Sequence, residues 1–370
     1  MLYLHIPYCH RKCTYCAFYS TVTTGGTQPY VDALCIELER RSHCVEHPLR
    51  TVYFGGGTPS LLPVGQLAQI VKTICNCYDT SALEEVTVEA NPEDLTTTYL
   101  ADLRQLSFFN RISIGVQSFH DDDLRMLNRR HNARQALEAL QNAASAGFEH
   151  ISVDLIYGLP GQSLESWLDN LSRLADLPIG HLSAYALTVE DGTMLQRQIG
   201  QGRVRPCDET VQLDHYHALL AWAEQHGFQQ YEISNFARPG HRAIHNSRYW
   251  NRTPYLGVGA AAHSFDGLHR RWNVANTQRY ISSVMAGPID HEEEELGLKD
   301  AYNEYLMTAL RTVEGIDKSL VAPPFANRLQ RDMQRFVAAG LILDTPTHYR
   351  PTPEGLLHAD GIAAELFLST

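Results

Sequence analysis

LYLHIPYCHRKCTYC, residues 2–16, sets a short apolar run directly against a loop that carries Cys9, Cys13 and Cys16. Leu2–Ile6 reads as a strand closed by Pro7. Working outward, five more runs of the same kind follow: Thr51–Phe54, Glu85–Ala90, Arg111–Gln117, Ile151–Tyr157 and His181–Leu187. Amphipathic helical patterns lie between them, at Tyr30–Arg41, Val64–Tyr78, Thr97–Leu106, Asp122–Asn128 with Ala133–Ala146, and Leu164–Leu174. Strand–helix alternation at this spacing predicts a parallel sheet wound by right-handed crossovers. Such units build either a flat doubly wound sheet or an open (β/α)6 barrel. The unusual residues cluster at strand C-termini, where these folds place their ligands, and they favour the barrel.

The chain has 370 residues and a formal charge of −12, which disfavours a general nucleic-acid binder because that role needs a basic face. No apolar run reaches the ~18 residues of a membrane span, so no integral membrane protein is expected. Met1 leads straight into the first strand with no basic, apolar leader. The expectation is a cytoplasmic protein whose eight cysteines serve metal or redox chemistry rather than disulfides.

Three units are expected: a barrel over residues 1–228, a His-, Asn-, Tyr- and Trp-rich segment over 229–290, and a small winged-helix-like unit over 291–370. The acidic run Glu292–Glu295 reads as a solvated linker. Ala301–Thr312, Phe325–Arg335 and a hairpin at Gly340–Asp344 give the helix, helix, wing pattern.

Cys9-x3-Cys13-x2-Cys16 supplies three thiolates in one loop. A 4Fe–4S cluster normally takes one thiolate per iron, so three leave one iron open to a small molecule. Zinc remains an alternative, with His5 or His10 as a fourth ligand. Gly55-Gly56-Gly57-Thr58-Pro59 after the second strand lets backbone approach a ligand closely and offer N–H groups. Glu89, Gln117, Arg129 and Asp154 put polar groups at strand ends or in the turns beyond them, costly to bury without partners. Each alone could brace a loop; together on one rim they mark a ligand site.

The cysteine spacing followed by Phe18, with the glycine motif after the second strand, resembles the radical SAM superfamily. HIPYC, FGGGTPS, VEANPE, GVQSF, DLIYGLPGQ, YEISNFARPG and HNSRYW, in that order, resemble the HemW-type heme chaperones, relatives of the oxygen-independent coproporphyrinogen III oxidase HemN. The resemblance covers essentially the whole chain. It implies a partial (β/α)6 TIM-like barrel with a 4Fe–4S cluster on Cys9, Cys13 and Cys16. It implies S-adenosylmethionine (SAM) at Tyr3, Gly56, Gly57, Thr58, Glu89, Gln117, Arg129 and Asp154. It also implies heme as ligand, apo-heme-protein recipients, and dimerisation in some relatives. The oxidase carries an N-terminal extension and a further cysteine where this chain has Phe18, and both departures favour the chaperone. Ala17 and Ala261 depart from the chaperone pattern without removing a ligand. The alternative is an oxidase that decarboxylates coproporphyrinogen III.

HNSRYW (His245–Trp250) offers heme an axial imidazole in His245, walls in Tyr249 and Trp250, and a cation in Arg248. The competing reading is a capped turn whose aromatics fill core. His241 and His263 are rival ligands.

Overall fold

The computed structural model describes residues 1–23 and 25–368. Six strands, β1 (Leu2–Ile6), β2 (Thr51–Gly56), β3 (Glu85–Ala90), β4 (Arg111–Gln117), β5 (His150–Tyr157) and β6 (His181–Ala186), run parallel and pair in chain order. Outside them pack α1 (Gln28–Arg40), α2 (Val64–Cys77), α3 (Thr97–Gln105), α4 (Asp121–Met126), α5 (Ala133–Ser145), α6 (Leu164–Leu174), α7 (Met194–Gly200) and α8 (Glu209–Gln225). The expected α/β partial barrel is present. Its sheet reaches nine strands because β7 (Gln229–Gln230) and β8 (Asn235–Ala237) add antiparallel beyond β6, and β9 (Leu256–Val258) adds parallel beyond β1.

Strand residues alternate between the two faces of this curved sheet. Leu2, Leu4 and Ile6, with Val52, Phe54, Val86 and Val88, point outward into the apolar layer under the helices. The alternate positions point inward and are polar: Tyr53, Thr87, Glu89, Arg111, Ser113, Ser152, Asp154, His181, Ser183 and Tyr185 line one internal cavity. An apolar outside and a polar lumen make this a ligand-holding barrel rather than a filled one.

The floor of the barrel, at the strand N-termini, is closed by α9 (Ile244–Trp250). Main-chain N–H groups of Ile244 and His245 donate to the Glu85 carboxylate at 2.8 and 2.9 Å. Arg111 pairs with Glu85 at 2.9 Å and donates to Ser152 Oγ and to the carbonyls of His241 and Arg242. HNSRYW is therefore a short helix rather than a capped turn, and it plugs the end opposite the cysteines.

Glu292–Glu295 is not a linker. It lies in β12 (His291–Glu295), the edge of a three-stranded antiparallel sheet with β10 (His263–Phe265) and β11 (His269–Asn273). The register sets Arg270 and Arg271 opposite Glu294 and Glu293, and cross-strand charge pairing offsets the low strand propensity of glutamate. After α10 (Thr277–Ala286), which packs on α1, the C-terminal unit comprises α11 (Leu298–Ala309), β13 (Ile316–Asp317), α12 (Pro323–Ala338), β14 (Ile342–Asp344), β15 (His348–Pro351), α13 (Pro353–Leu357) and α14 (Ala359–Leu366). Its hairpin is wider than Gly340–Asp344: β14 pairs with β15, which also pairs with β13. Leu306, Leu329, Met333 and Ile362 fill a core of its own.

Candidate cluster and cofactor site

The cysteine loop leaves β1 at Pro7 and is tied down at several points. The Pro7 and Cys9 carbonyls accept from Thr21 and Thr23, and Thr14 bonds Leu127 through its N–H, Met126 through its hydroxyl and Leu195 through its carbonyl. Asn128 Nδ2 holds the Lys12 carbonyl at 2.8 Å. All three thiols are free and half-buried. Thr58 Oγ1 donates to Cys9 Sγ at 3.6 Å, and Arg129 Nη1 to Cys13 Sγ at 3.4 Å. Burial raises the Cys9 and Cys16 thiols above their usual range, so a metal must displace their protons to bind.

A Cβ at Gly57 would lie 2.7 Å from the Tyr8 carbonyl and 3.0 Å from Cys9 Sγ; only glycine lets the loop close on β2. Gly56 has φ +114°, and a Cβ there would meet the His5 ring at 2.8 Å. His5 has both ring nitrogens engaged, with Tyr3 Oη and the Tyr19 carbonyl, each at 3.0 Å. His10 is exposed and lies 3.9 Å from Asp94. Among the described residues, no three His, Cys, Asp or Glu side chains converge on a point that suits a single metal ion. Neither histidine is thus placed as the fourth zinc ligand, whereas a cubane spreads its thiolates over separate irons.

Beneath the loop lie two carboxylates. Glu89 accepts from Tyr53 Oη at 2.7 Å and from Gly56 N–H at 3.2 Å. Burial, aided by the nearby Asp154 charge, pushes its pKa up to about 7. Asp154 touches Ser113 Oγ at 3.4 Å through both oxygens, and burial pushes it up to about 6 against the pull of Ser183, Ser113 and Arg129. Neither forms a salt bridge among the described residues. Enclosed carboxylates with only neutral donors are costly as anions, and a cationic or hydroxyl-bearing ligand would stabilise them.

Arg129 stands at the rim. Its Nη2 donates to Asn91 Oδ1 at 2.6 Å and to the Gly115 carbonyl at 2.7 Å, while its buried Nε has no partner. Gln117 sits at a bulge between β4 and β5 with φ +68°, a conformation L-residues rarely hold, and bulges of this kind re-aim side chains at sites. Tyr3 stacks on Tyr53 with ring centroids 6.2 Å apart. The structure thus gathers Tyr3, Cys9, Cys13, Gly56, Gly57, Thr58, Glu89, Arg129 and Asp154 around the upper barrel, with Gln117 at its edge. Sequence reasoning missed Tyr53, Asn91, Ser113, Ser183 and Tyr185. The signal was available: each lies two positions from a chosen residue or is a polar side chain inside an apolar strand.

The HNSRYW segment meets this group only from the floor: Asn246 lines the same cavity, and the His245 ring stacks on Tyr53 with centroids 5.1 Å apart. His245 is fully buried; its Nδ1 meets Thr51 Oγ1 at 2.8 Å and its Nε2 meets Tyr249 Oη at 3.0 Å. Burial, with the N-terminal amine and Arg248, pushes its pKa down to about 3. Both nitrogens are engaged, so in this arrangement neither faces an axial iron. Trp250 points elsewhere, with the Arg311 guanidinium 6.0 Å above its ring and its buried Nε1 unpartnered. His241 pairs with His150, Nδ1 to Nδ1 at 3.2 Å, and His263 stacks on Trp272.

Residues 3–174 match the radical SAM superfamily and residues 296–358 the HemN C-terminal domain. The chain is 36% identical to the heme chaperone HemW of Lactococcus lactis over 85% of this chain and 82% of that one. It is 33% identical to the HemW of Bacillus subtilis over 88% and 87%. Its fold matches coproporphyrinogen III oxidase HemN of Escherichia coli with a TM-score of 0.85 and 25% identity, covering 99% of this chain and 89% of that one.

Proposed function

The chain belongs to the HemW family of radical SAM proteins, and from that premise we propose a heme chaperone that carries a 4Fe–4S cluster and SAM and delivers heme to apo-proteins. Cys9, Cys13 and Cys16 hold the cluster, which supplies one-electron chemistry and an iron open to SAM. Tyr3, Gly56, Gly57, Thr58, Glu89, Gln117, Arg129 and Asp154 hold SAM. Glu89 and Asp154 accept from the ammonium or ribose hydroxyls, and Arg129 receives the carboxylate through charge-assisted bonds. The observation that carries this reading is the pair of enclosed carboxylates without an ion pair beneath a three-cysteine loop. The free Nε of Arg129 fits the same ligand set.

The heme part rests on the names of the relatives and on the α9 aromatics. His245, Tyr249 and Trp250 remain the proposed contacts, with His245 released from Thr51 and Tyr249 when it ligates iron. Eight free cysteines suit a reducing compartment, the cytoplasm. No helix of the described residues is long and apolar enough to cross a membrane.

The likeness to HemN supports a second reading, decarboxylation of coproporphyrinogen III. Anaerobically reconstituted protein decides between them when it is titrated with heme and assayed with coproporphyrinogen III, reductant and SAM. The chaperone reading expects saturable heme binding and no protoporphyrinogen. Robust decarboxylation by the same sample would replace it with the oxidase.

A further inference from the structure

The C-terminal unit rests on α9, and what holds it there is largely polar. Glu304 of α11 receives Arg270 through both oxygens at 2.6 and 3.0 Å and Arg252 at 3.1 Å. Arg252 also donates to the Ala301 carbonyl at 2.8 Å. Both guanidiniums lie over the Phe265 ring, at 5.1 and 5.8 Å. Nearer the floor, Ile233 N–H donates to the Arg311 carbonyl at 2.9 Å and Val313 N–H to that of Tyr231 at 3.2 Å. The unit closes its own apolar core, and on the far side Leu357 of α13 packs on the barrel core. Units with separate cores and a polar seam part without exposing either core.

Under that seam lies Trp250, roofed by Arg311, with a buried indole N–H that donates to nothing. An orphaned donor beneath a charged cover is a local cost that the closed state does not repair.

We propose that the C-terminal unit is a hinged cover over α9, latched by Glu304 against Arg252 and Arg270 and anchored at α13. It must lift before a flat, hydrophobic, carboxylate-bearing ligand reaches Trp250. This rests on the reading that α9 contacts heme. It adds that access, and not only affinity, is set by the latch. Arg311, held by Asp360 at 2.7 Å through both Nε and Nη2, leaves the ring with the unit.

The test uses the full chain with Glu304→Gln, which keeps the side-chain shape and removes the charge, and Arg252→Lys/Arg270→Lys, which loses the bidentate geometry. Backbone hydrogen exchange is followed peptide by peptide, and heme association by stopped flow. The cover predicts that exchange in residues 244–250 and the heme association rate both rise about tenfold, while β3 keeps its protection. Added salt should speed the wild type and leave Glu304→Gln little changed. Unchanged exchange in 244–250 in both variants overturns the proposal. So does a rise that spreads through the Leu306–Met333 core, because that is unfolding and not lifting. Wild-type protein that binds no heme refutes the heme reading, while the exchange data still decide the latch.

Discussion

The two ends of the barrel bury charge in opposite ways. At the floor, Glu85 meets Arg111 and two main-chain N–H groups, and the other donors of Arg111 find Ser152 and two carbonyls. At the rim, Glu89 and Asp154 have tyrosine, serine and one N–H group but no ion pair, and burial raises both above ordinary carboxylates. Glu85 and Arg111 are buried and Glu89 and Asp154 half-buried against the cavity, but what separates the ends is completeness. A satisfied buried pair holds the fold together, whereas an unsatisfied pair next to a cysteine loop is built for a ligand that arrives later.

The largest expected effect is at the rim. Cys13→Ala should abolish cluster iron, since two thiolates do not anchor a cubane, while Cys75→Ala, on an exposed helix position, should keep it. Iron and acid-labile sulfide analysis after anaerobic reconstitution reads both. A Cys75 variant that loses iron while Cys13→Ala retains it contradicts the rim assignment.

At the floor, Glu85→Ala leaves Arg111 buried and unpaired and should cost about 3–5 kcal/mol of stability by urea titration. SAM affinity of the folded protein should stay as it was. A smaller, opposite pattern belongs to the rim: Glu89→Ala or Asp154→Ala should weaken SAM by about 1.5–3 kcal/mol with full cluster iron. If SAM affinity instead follows Glu85 and ignores Glu89, the comparison between the ends is inverted.

His245 gives the finest distinction. Its folded pKa of about 3 lies below the ordinary value of 6.5, so between those limits the unfolded chain binds the extra proton. Stability from this group is complete above pH 6.5 and is lost as pH falls toward 3. His245→Asn should flatten the acid limb of the stability curve. A parallel limb in the variant would mean that the imidazole is solvated.

The six barrel strands were legible because each is a compact apolar run, and the rim residues because polar groups at strand ends stand out against them. The floor was not legible. Glu85 and Ile244 are 159 positions apart, and nothing local in HNSRYW tells an axial ligand from a histidine held between Thr51 and Tyr249. Four consecutive glutamates looked like solvated chain because their partners, Arg270 and Arg271, sit on a strand more than twenty residues earlier. The polar inner face of β4 and β6 was legible only as alternation, Ser113 on β4 and Ser183 on β6 each standing between apolar neighbours.

The most direct test of the rim is the proton balance of SAM binding. Near pH 6.5, Glu89 with a pKa of about 7 is largely protonated in the ligand-free protein. Binding of a cation should drive it to carboxylate. Calorimetric SAM titrations of the reconstituted protein in two buffers of different ionisation enthalpy should show net proton release, sharply reduced in Glu89→Gln and kept in Glu85→Gln. No proton release in the wild type, or release that disappears only with the floor variant, would contradict the account.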